Sequence, residues 1–111
     1  MAQREALLDG VFVALADPTR RAVIARLGRG PAAVGELARD FPMALPSFMK
    51  HVRTLEANDL IRTTKTGRVR TCELNRARLA VVENWLDEQR RVWSERTDRL
   101  EQFVTDPEEH T

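Results

Sequence analysis

The stretch LPSFMKHVRTLEAN, residues 45–58, decides the fold of this chain. Phe48, Val52 and Leu55 recur at i, i+4 and i+7, so a helix here places them on one apolar face. Pro46 is compatible with that helix because it falls in the first turn, where backbone N–H groups have no helical partner. The opposite face is polar and carries Ser47, Lys50, His51 and Thr54. The pattern predicts a helix that is buried on one side and offers the other side to a partner.

Three shorter helices are predicted upstream of this segment. An apolar repeat of four residues indicates a first helix over residues 5–15. Asp17 is a good N-cap, and Pro18 suits the first position of a second helix that ends near Leu27. Apolar spacing over residues 34–41 indicates a short third helix.

Two β-compatible runs follow the polar-faced helix, at residues 60–64 and 69–74. A polar turn that contains Gly67 joins them, which predicts a β-hairpin. Three cations lie at or near its tip: Lys65, Arg68 and Arg70. The net positive charge of the chain is concentrated here, because residues 44–74 hold six Lys or Arg against three acids. Residues 75–111 hold six Arg against nine acids, so a polyanion partner suits the middle of the chain.

A last, long helix is predicted over residues 76–105, with Asn75 as its N-cap. Its large positions step by three and four residues, as in a coiled coil: Leu79, Val82, Leu86, Gln89, Trp93, Arg96, Leu100 and Phe103. This seam favours pairing with a second copy, and Trp85 and Trp93 are assigned to its core. Residues 1–105 are therefore one DNA-binding and dimerisation domain, and residues 106–111 are predicted to be an acidic flexible tail.

The order of these elements predicts a mainly α fold with a β-hairpin, a winged helix-turn-helix. A helix about 10–12 Å across fits the DNA major groove, which is about 12 Å wide. The cationic hairpin reaches the neighbouring backbone or minor groove, and a dimer sets the two reading helices about 34 Å apart. The predicted DNA contacts are Pro46, Ser47, Lys50, His51, Thr54, Lys65, Arg68 and Arg70.

Several motifs resemble one known family. They are ALADPTRR (14–21), GELA (35–38), LPSFMKHVRTLE (45–56), NDLI (58–61) and TGRVR (66–70). Together they are similar, in order, to the ArsR (arsenical-resistance repressor) family of winged helix-turn-helix regulators. The resemblance implies a homodimeric repressor that binds double-stranded DNA at an inverted-repeat operator and dimerises through its first and last helices. The expected interface residues are Leu8, Phe12, Leu79, Val82, Leu86, Trp93, Leu100 and Phe103.

The sequence departs from the metal-sensing members of that family. They carry a cysteine pair in the segment that matches residues 34–39, where this chain has none. Others bind zinc through the last helix, where this chain has no histidine before the tail. We therefore expect a metal-independent member without a cofactor. Ala44 stands where the family often has a serine, so the usual N-cap of the recognition helix is absent.

The bulk composition restricts the class of protein. The length of 111 residues fits one domain, no apolar run reaches the roughly 18 residues of a membrane span, and no signal peptide is evident. Cys72 is the single cysteine, so an internal disulfide is excluded. These features predict a cytoplasmic protein with no membrane partner. No catalytic constellation is present, so an enzyme is not expected.

Two alternatives to a DNA-binding repressor stay open from the sequence. One is a winged-helix module that binds a protein partner and has lost DNA binding. The other is a redox or metal sensor that uses Cys72 or carboxylates, although a lone strand cysteine is more often a small buried apolar group. An unidentified small-molecule effector also stays open. Of Arg20 and Arg21, one is expected to pair with an acid inside the domain, and the sequence does not assign which.

Overall fold

The computed structural model describes the backbone of residues 2–109 and the side chains of residues 3–102. It divides into two compact units, Met1–Leu79 and Ala80–Thr111. The elements are α1 (Ala2–Leu15), α2 (Pro18–Leu27), β1 (Ala32–Ala33), α3 (Val34–Arg39), α4 (Leu45–Ala57), β2 (Ile61–Thr66), β3 (Val69–Leu74) and α5 (Arg76–Glu109). This confirms the predicted fold of helices with a β-hairpin.

Helix α2 begins and ends at the residues that the capping signals indicate. The Asp17 backbone is extended, and its side chain accepts a hydrogen bond from the Arg20 N–H at 3.1 Å. That bond satisfies one of the four N–H groups that a helix start leaves without a partner. The local sequence thus fixes the point at which α2 follows α1.

The apolar face of α4 forms the centre of the core in the first unit. Phe48, Val52 and Leu55 are fully buried, as the spacing predicts. The ring of Phe48 packs against Phe41, with centroids 5.2 Å apart. Burial of each such side chain contributes about 1.5–3 kcal/mol. Further buried residues come from α1, α2, α3 and the sheet: Leu8, Val11, Ala14, Val23, Leu27, Leu37, Leu60, Ile61 and Cys72.

The sheet has three antiparallel strands in the order β1-β3-β2, one more strand than the sequence predicts. Strand β1 is only two residues long, too short for any periodicity to show. Cys72 pairs with Ala32 on one side and Thr63 on the other, which makes it the middle of the sheet. Strand β2 continues to Thr66, beyond the predicted end. Gly67 takes φ 63° in the tight turn, a backbone conformation that glycine adopts without steric cost.

Helix α5 begins at Arg76, as predicted, and extends beyond the predicted end. The backbone continues as helix to Glu109, so the predicted tail from residue 106 is largely helical, and residues 110–111 lie outside the described part. Asn75 precedes the helix, and its carbonyl accepts from Leu79 N–H. Its side chain instead donates to the Asp59 carbonyl at 2.8 Å and accepts from Arg62. The Asn75 amide therefore joins α5 to the end of α4.

Candidate nucleic-acid interface

The N-terminal half of α4 presents an exposed polar surface. Pro46, Ser47 and Lys50 are exposed, as predicted for a groove-reading helix. The Thr54 hydroxyl donates back to the Lys50 carbonyl at 3.0 Å, so its hydrogen is used within the helix. Ala44 lies at the N-cap in an extended conformation and makes no side-chain cap bond. The first N–H groups of α4 are therefore not covered by an N-cap side chain, at the positive end of the helix dipole.

His51 lies on the same polar face of α4 but is half-buried, in a polar cluster with Asp17 and Arg20. Its Nδ1 lies 3.2 Å from Nη1 of Arg20 and 3.6 Å from Oδ2 of Asp17. The backbone N–H of Arg20 lowers the pKa of the Asp17 carboxyl, and the positive charge of the Arg20 side chain acts in the same direction. From the sequence His51 could either contact DNA or brace the protein locally, and the structure gives its Nδ1 a partner inside the protein.

The side chains of Arg20 and Arg21 both donate hydrogen bonds to the last carbonyls of α1. Arg20 donates through Nε to the Ala14 carbonyl and through Nη2 to the Val13 carbonyl. Arg21 donates through Nη1 to the Leu15 carbonyl at 2.8 Å. The last carbonyls of a helix have no helical partner, and these guanidiniums supply donors. The expectation that one of the two arginines pairs with an acid inside the domain misses this shared role.

The β2–β3 hairpin, residues 61–74, forms a cationic wing. Lys65 and Arg70 are direct cross-strand partners, and both are exposed. Like charges placed opposite each other destabilise a hairpin, so the pair suits a polyanion partner. Arg70 also donates to Thr63 Oγ1 at 3.0 Å, and Thr63 donates to Glu56 of α4. Arg68 is exposed at the turn itself.

A groove of about 390 Å³ connects the wing to the start of α4. Its apolar lining includes Leu45 and Val69, which are 55% and 52% exposed, together with Met49. Arg68 and Arg70 line the same groove. Sequence reasoning missed Leu45 and Val69, because an isolated apolar residue at the start of a helix or strand resembles a core position. Leu45 lies three residues before Phe48 and seven before Val52, on the same helical stripe, so the spacing gave no signal that it would be exposed.

Comparison with known proteins decides the family. The fold matches the crystal structure of an ArsR family transcriptional regulator with a TM-score of 0.77 and 58% identity, covering 81% of this chain and 93% of that one. The chain belongs to the ArsR family. A helix-turn-helix domain model matches residues 15–64, which include α2, α3 and α4. This confirms the resemblance drawn from the motifs.

Curated relatives agree with this assignment. The chain is 41% identical to the HTH-type transcriptional regulator Rv2034 of Mycobacterium tuberculosis, over 78% of each protein. It is 30% identical to the transcriptional repressor SdpR of Bacillus subtilis, over 71% of this chain and 88% of that protein. This ArsR family member is therefore a DNA-binding transcriptional regulator with a winged helix-turn-helix fold.

The predicted dimer residues of this ArsR family regulator differ in exposure. On α1, Leu8 is buried within the chain, whereas Leu7, Phe12 and Val13 are exposed. On α5, Leu79 and Val82 are half-buried, whereas Leu86, Trp93 and Leu100 are exposed. The exposed fraction is 57% at Trp93 and 64% at Leu100. The Phe103 side chain lies outside the described residues.

Within residues 3–102, no three His, Cys, Asp or Glu side chains lie close enough together to hold a metal ion. No helix in the described part of the chain is long and apolar enough to cross a bilayer.

Proposed function

We propose that this regulator is a repressor that binds an inverted-repeat operator as a homodimer, with α4 in the major groove and the wing on the adjacent backbone. The observation that carries the proposal is the groove shared by the two elements. Leu45 and Met49 of α4 line it together with Arg68 and Arg70 of the wing. A reading helix and a cationic ribbon that share one surface can engage one stretch of duplex together.

Residues of α4 and of the wing, inside and outside this groove, have separate chemical roles in the proposal. Lys50 contacts a phosphate or a guanine edge, and Ser47 hydrogen-bonds a base edge or a phosphate. Arg68 and Lys65 meet phosphates, while Arg70 divides its donors between Thr63 and DNA. The exposed Leu45 gives the first turn of α4 an apolar contact that suits a thymine methyl group.

The homodimer in this proposal is supported by exposed apolar side chains on both terminal helices. Leu7 and Val13 are exposed on α1, and Leu86, Trp93 and Leu100 are exposed on α5. Large apolar groups that stay exposed in a single chain are typical of a surface that a partner covers. An inverted repeat requires a two-fold partner, and a second copy supplies it.

The proposal assigns the regulator a place with the chromosome in the cytoplasm and action by binding rather than by catalysis. It assigns no metal ion to the regulatory step, because the segment that carries cysteines in metal-sensing relatives has none here. A small-molecule effector is left unassigned.

Selection and sequencing of bound genomic fragments tests the function directly. We expect the selection to recover an inverted repeat. That duplex is then titrated by fluorescence anisotropy with Lys50→Ala, Arg68→Ala and a matched control, Arg29→Ala, which removes a charge outside α4 and the wing. Lys50→Ala and Arg68→Ala each weaken binding and reduce the salt slope by about one unit per lost phosphate contact. Arg29→Ala leaves both unchanged.

Two results would overturn the proposal. If Lys50→Ala and Arg68→Ala bind the selected duplex like the parent protein, the assignment of α4 and the wing is wrong. If the selection yields no DNA while a stable complex with another protein is isolated, the protein-interaction module is the better description.

A further inference from the structure

Arg20 joins three helices at one point. Through Nε and Nη2 it holds the carbonyls of Ala14 and Val13 at the end of α1, and its backbone N–H is capped by Asp17 at the start of α2. Its remaining terminal nitrogen, Nη1, lies 3.2 Å from Nδ1 of His51 on α4. One side chain of α2 thus connects the end of α1 to the middle of the recognition helix.

The direction of the Arg20–His51 hydrogen bond fixes the state of the imidazole. A guanidinium donates and cannot accept, so the Nδ1 atom of His51 must be the acceptor. The ring is then neutral and carries its hydrogen on Nε2. Asp17 is the competitor for Nδ1, but its Oδ2 is 3.6 Å away, beyond ordinary hydrogen-bond distance, and accepts from the Arg20 N–H.

We propose that Arg20 is the positioning residue of the recognition helix: it holds His51 as the Nε2–H tautomer, so that the ring offers DNA a donor from the polar face of α4. This rests on the proposed function of α4. His51 keeps 22% of its side-chain surface exposed and shares that face with Ser47 and Lys50. In this proposal the internal contact and the DNA contact of His51 belong to its two different nitrogens.

The chain provides a matched control for this role. Arg21 follows Arg20 directly, and it also donates from its guanidinium to a carbonyl at the end of α1, that of Leu15. This hydrogen bond of Arg21 is to α1 and not to α4. Replacing either arginine by glutamine removes one charge and part of the α1 cap, and only Arg20→Gln also removes the donor to His51.

The first measurement is the nitrogen spectrum of the His51 ring in the free protein by two-dimensional NMR. His110→Gln removes the other histidine of the chain and assigns the signals. At neutral pH we expect hydrogen on Nε2 and a bare Nδ1 in the parent protein and in Arg21→Gln. In Arg20→Gln, we expect the averaged signals of two exchanging tautomers. A merely structural role for Arg20 would not produce this change.

The second measurement is affinity for the selected operator duplex. Arg20→Gln lowers the fraction of protein in the binding-competent state, and we expect about a tenfold or greater loss of affinity, the range that one hydrogen bond to a charged group allows. We expect Arg21→Gln to lose less than about twofold.

Three outcomes overturn the inference. Hydrogen on Nδ1 in the parent spectrum would show that Asp17, not Arg20, determines the protonation of the His51 ring. This measurement uses the parent protein and does not depend on the folding of a variant. Equal losses of affinity in Arg20→Gln and Arg21→Gln would reduce Arg20 to a helix cap. Operator affinity of Arg20→Gln equal to that of the parent would remove the link to DNA. Failure of the parent protein to bind any DNA would instead remove the proposed function and leave the tautomer result standing.

Discussion

The Asp59 carboxylate lies 3.2 Å from Nη2 of Arg78, and this pair connects the end of α4 to the first turn of α5. Asp59 also has φ 57°, in the left-handed region that non-glycine residues rarely adopt. Its N–H donates to the Glu56 carbonyl, and the next N–H, of Leu60, donates to Leu55. These two bonds form the Schellman motif that ends many helices, with aspartate where glycine is usual.

Substitutions of Asp59 separate two contributions to the free energy of unfolding, that of its left-handed backbone and that of its ion pair with Arg78. We expect Asp59→Val to be about 1–2 kcal/mol less stable than Asp59→Gly, since a β-branched residue is strained in the left-handed region. Asp59→Asn tolerates that region and removes only the pair with Arg78, which costs under about 1 kcal/mol because Asp59 is largely exposed. Urea unfolding measures all three variants, and equal stability of the valine and glycine variants would contradict the backbone assignment.

Ala44 offers a test of the uncapped start of α4. Ala44→Ser is expected to raise the free energy of unfolding by about 1 kcal/mol, because the extended N-cap backbone is already in place for a side-chain bond. Ala44→Asp provides a similar cap but adds a negative charge at the end that faces DNA. We therefore expect both variants to be more stable than the parent and only the aspartate variant to bind operator more weakly. Equal operator binding by the two variants would place this helix end away from the phosphates.

Cys72 tests the redox alternative. Its side chain is fully buried, and burial raises the pKa of the Cys72 thiol to about 11 from its ordinary value of 9.0. We expect the folded protein to resist alkylation by iodoacetamide at pH about 8, where the thiolate fraction is on the order of one in a thousand, and to react once urea unfolds it. Alkylation at the same rate in the folded and unfolded states would contradict this and favour a reactive thiol.

The raised pKa of Cys72 also predicts a pH dependence of stability. Between pH 9.0 and about 11 the unfolded thiol ionises while the folded thiol stays protonated. The contribution of the thiol is therefore complete below pH 9.0 and is lost as pH rises through about 11. Urea unfolding over this window should show a steeper fall for the parent than for Cys72→Ala, which lacks the group. Parallel curves would show that the folded thiol ionises normally.

Trp93 tests the proposed dimer. Trp93→Lys places a charge at an exposed seam position of α5, and Ser94→Lys places the same charge one residue later, off the seam. We expect Trp93→Lys to shift sedimentation toward the monomer and to weaken operator binding, since a lysine ammonium is costly to bury without a partner. Ser94→Lys should remain dimeric. A monomeric parent protein, or equal effects of the two lysines, would contradict an interface at this seam.

Local chemistry in the sequence alone determined the helices and the wing. The Asp17–Pro18 signal set the start of α2, and the spacing of Phe48, Val52 and Leu55 set the buried face of α4. A capping residue and an apolar period are both contained in a short stretch of sequence, so they can be recognised without knowledge of the rest of the fold. The cationic turn around Gly67 and the family resemblance were predictable for the same reason, since both rest on short sequence motifs.

Only the tertiary structure decided which partners meet. Arg20 and His51 are 31 residues apart in the chain, and nothing local distinguishes Arg20 from Arg21 as the donor. Strand β1 exists because β3 supplies its hydrogen bonds, since two residues carry no pattern of their own. The burial of Leu8 depended in the same way on packing between distant segments. Such contacts arise from side chains brought together by the whole core, so a pattern read along the chain determines the elements but not these pairings.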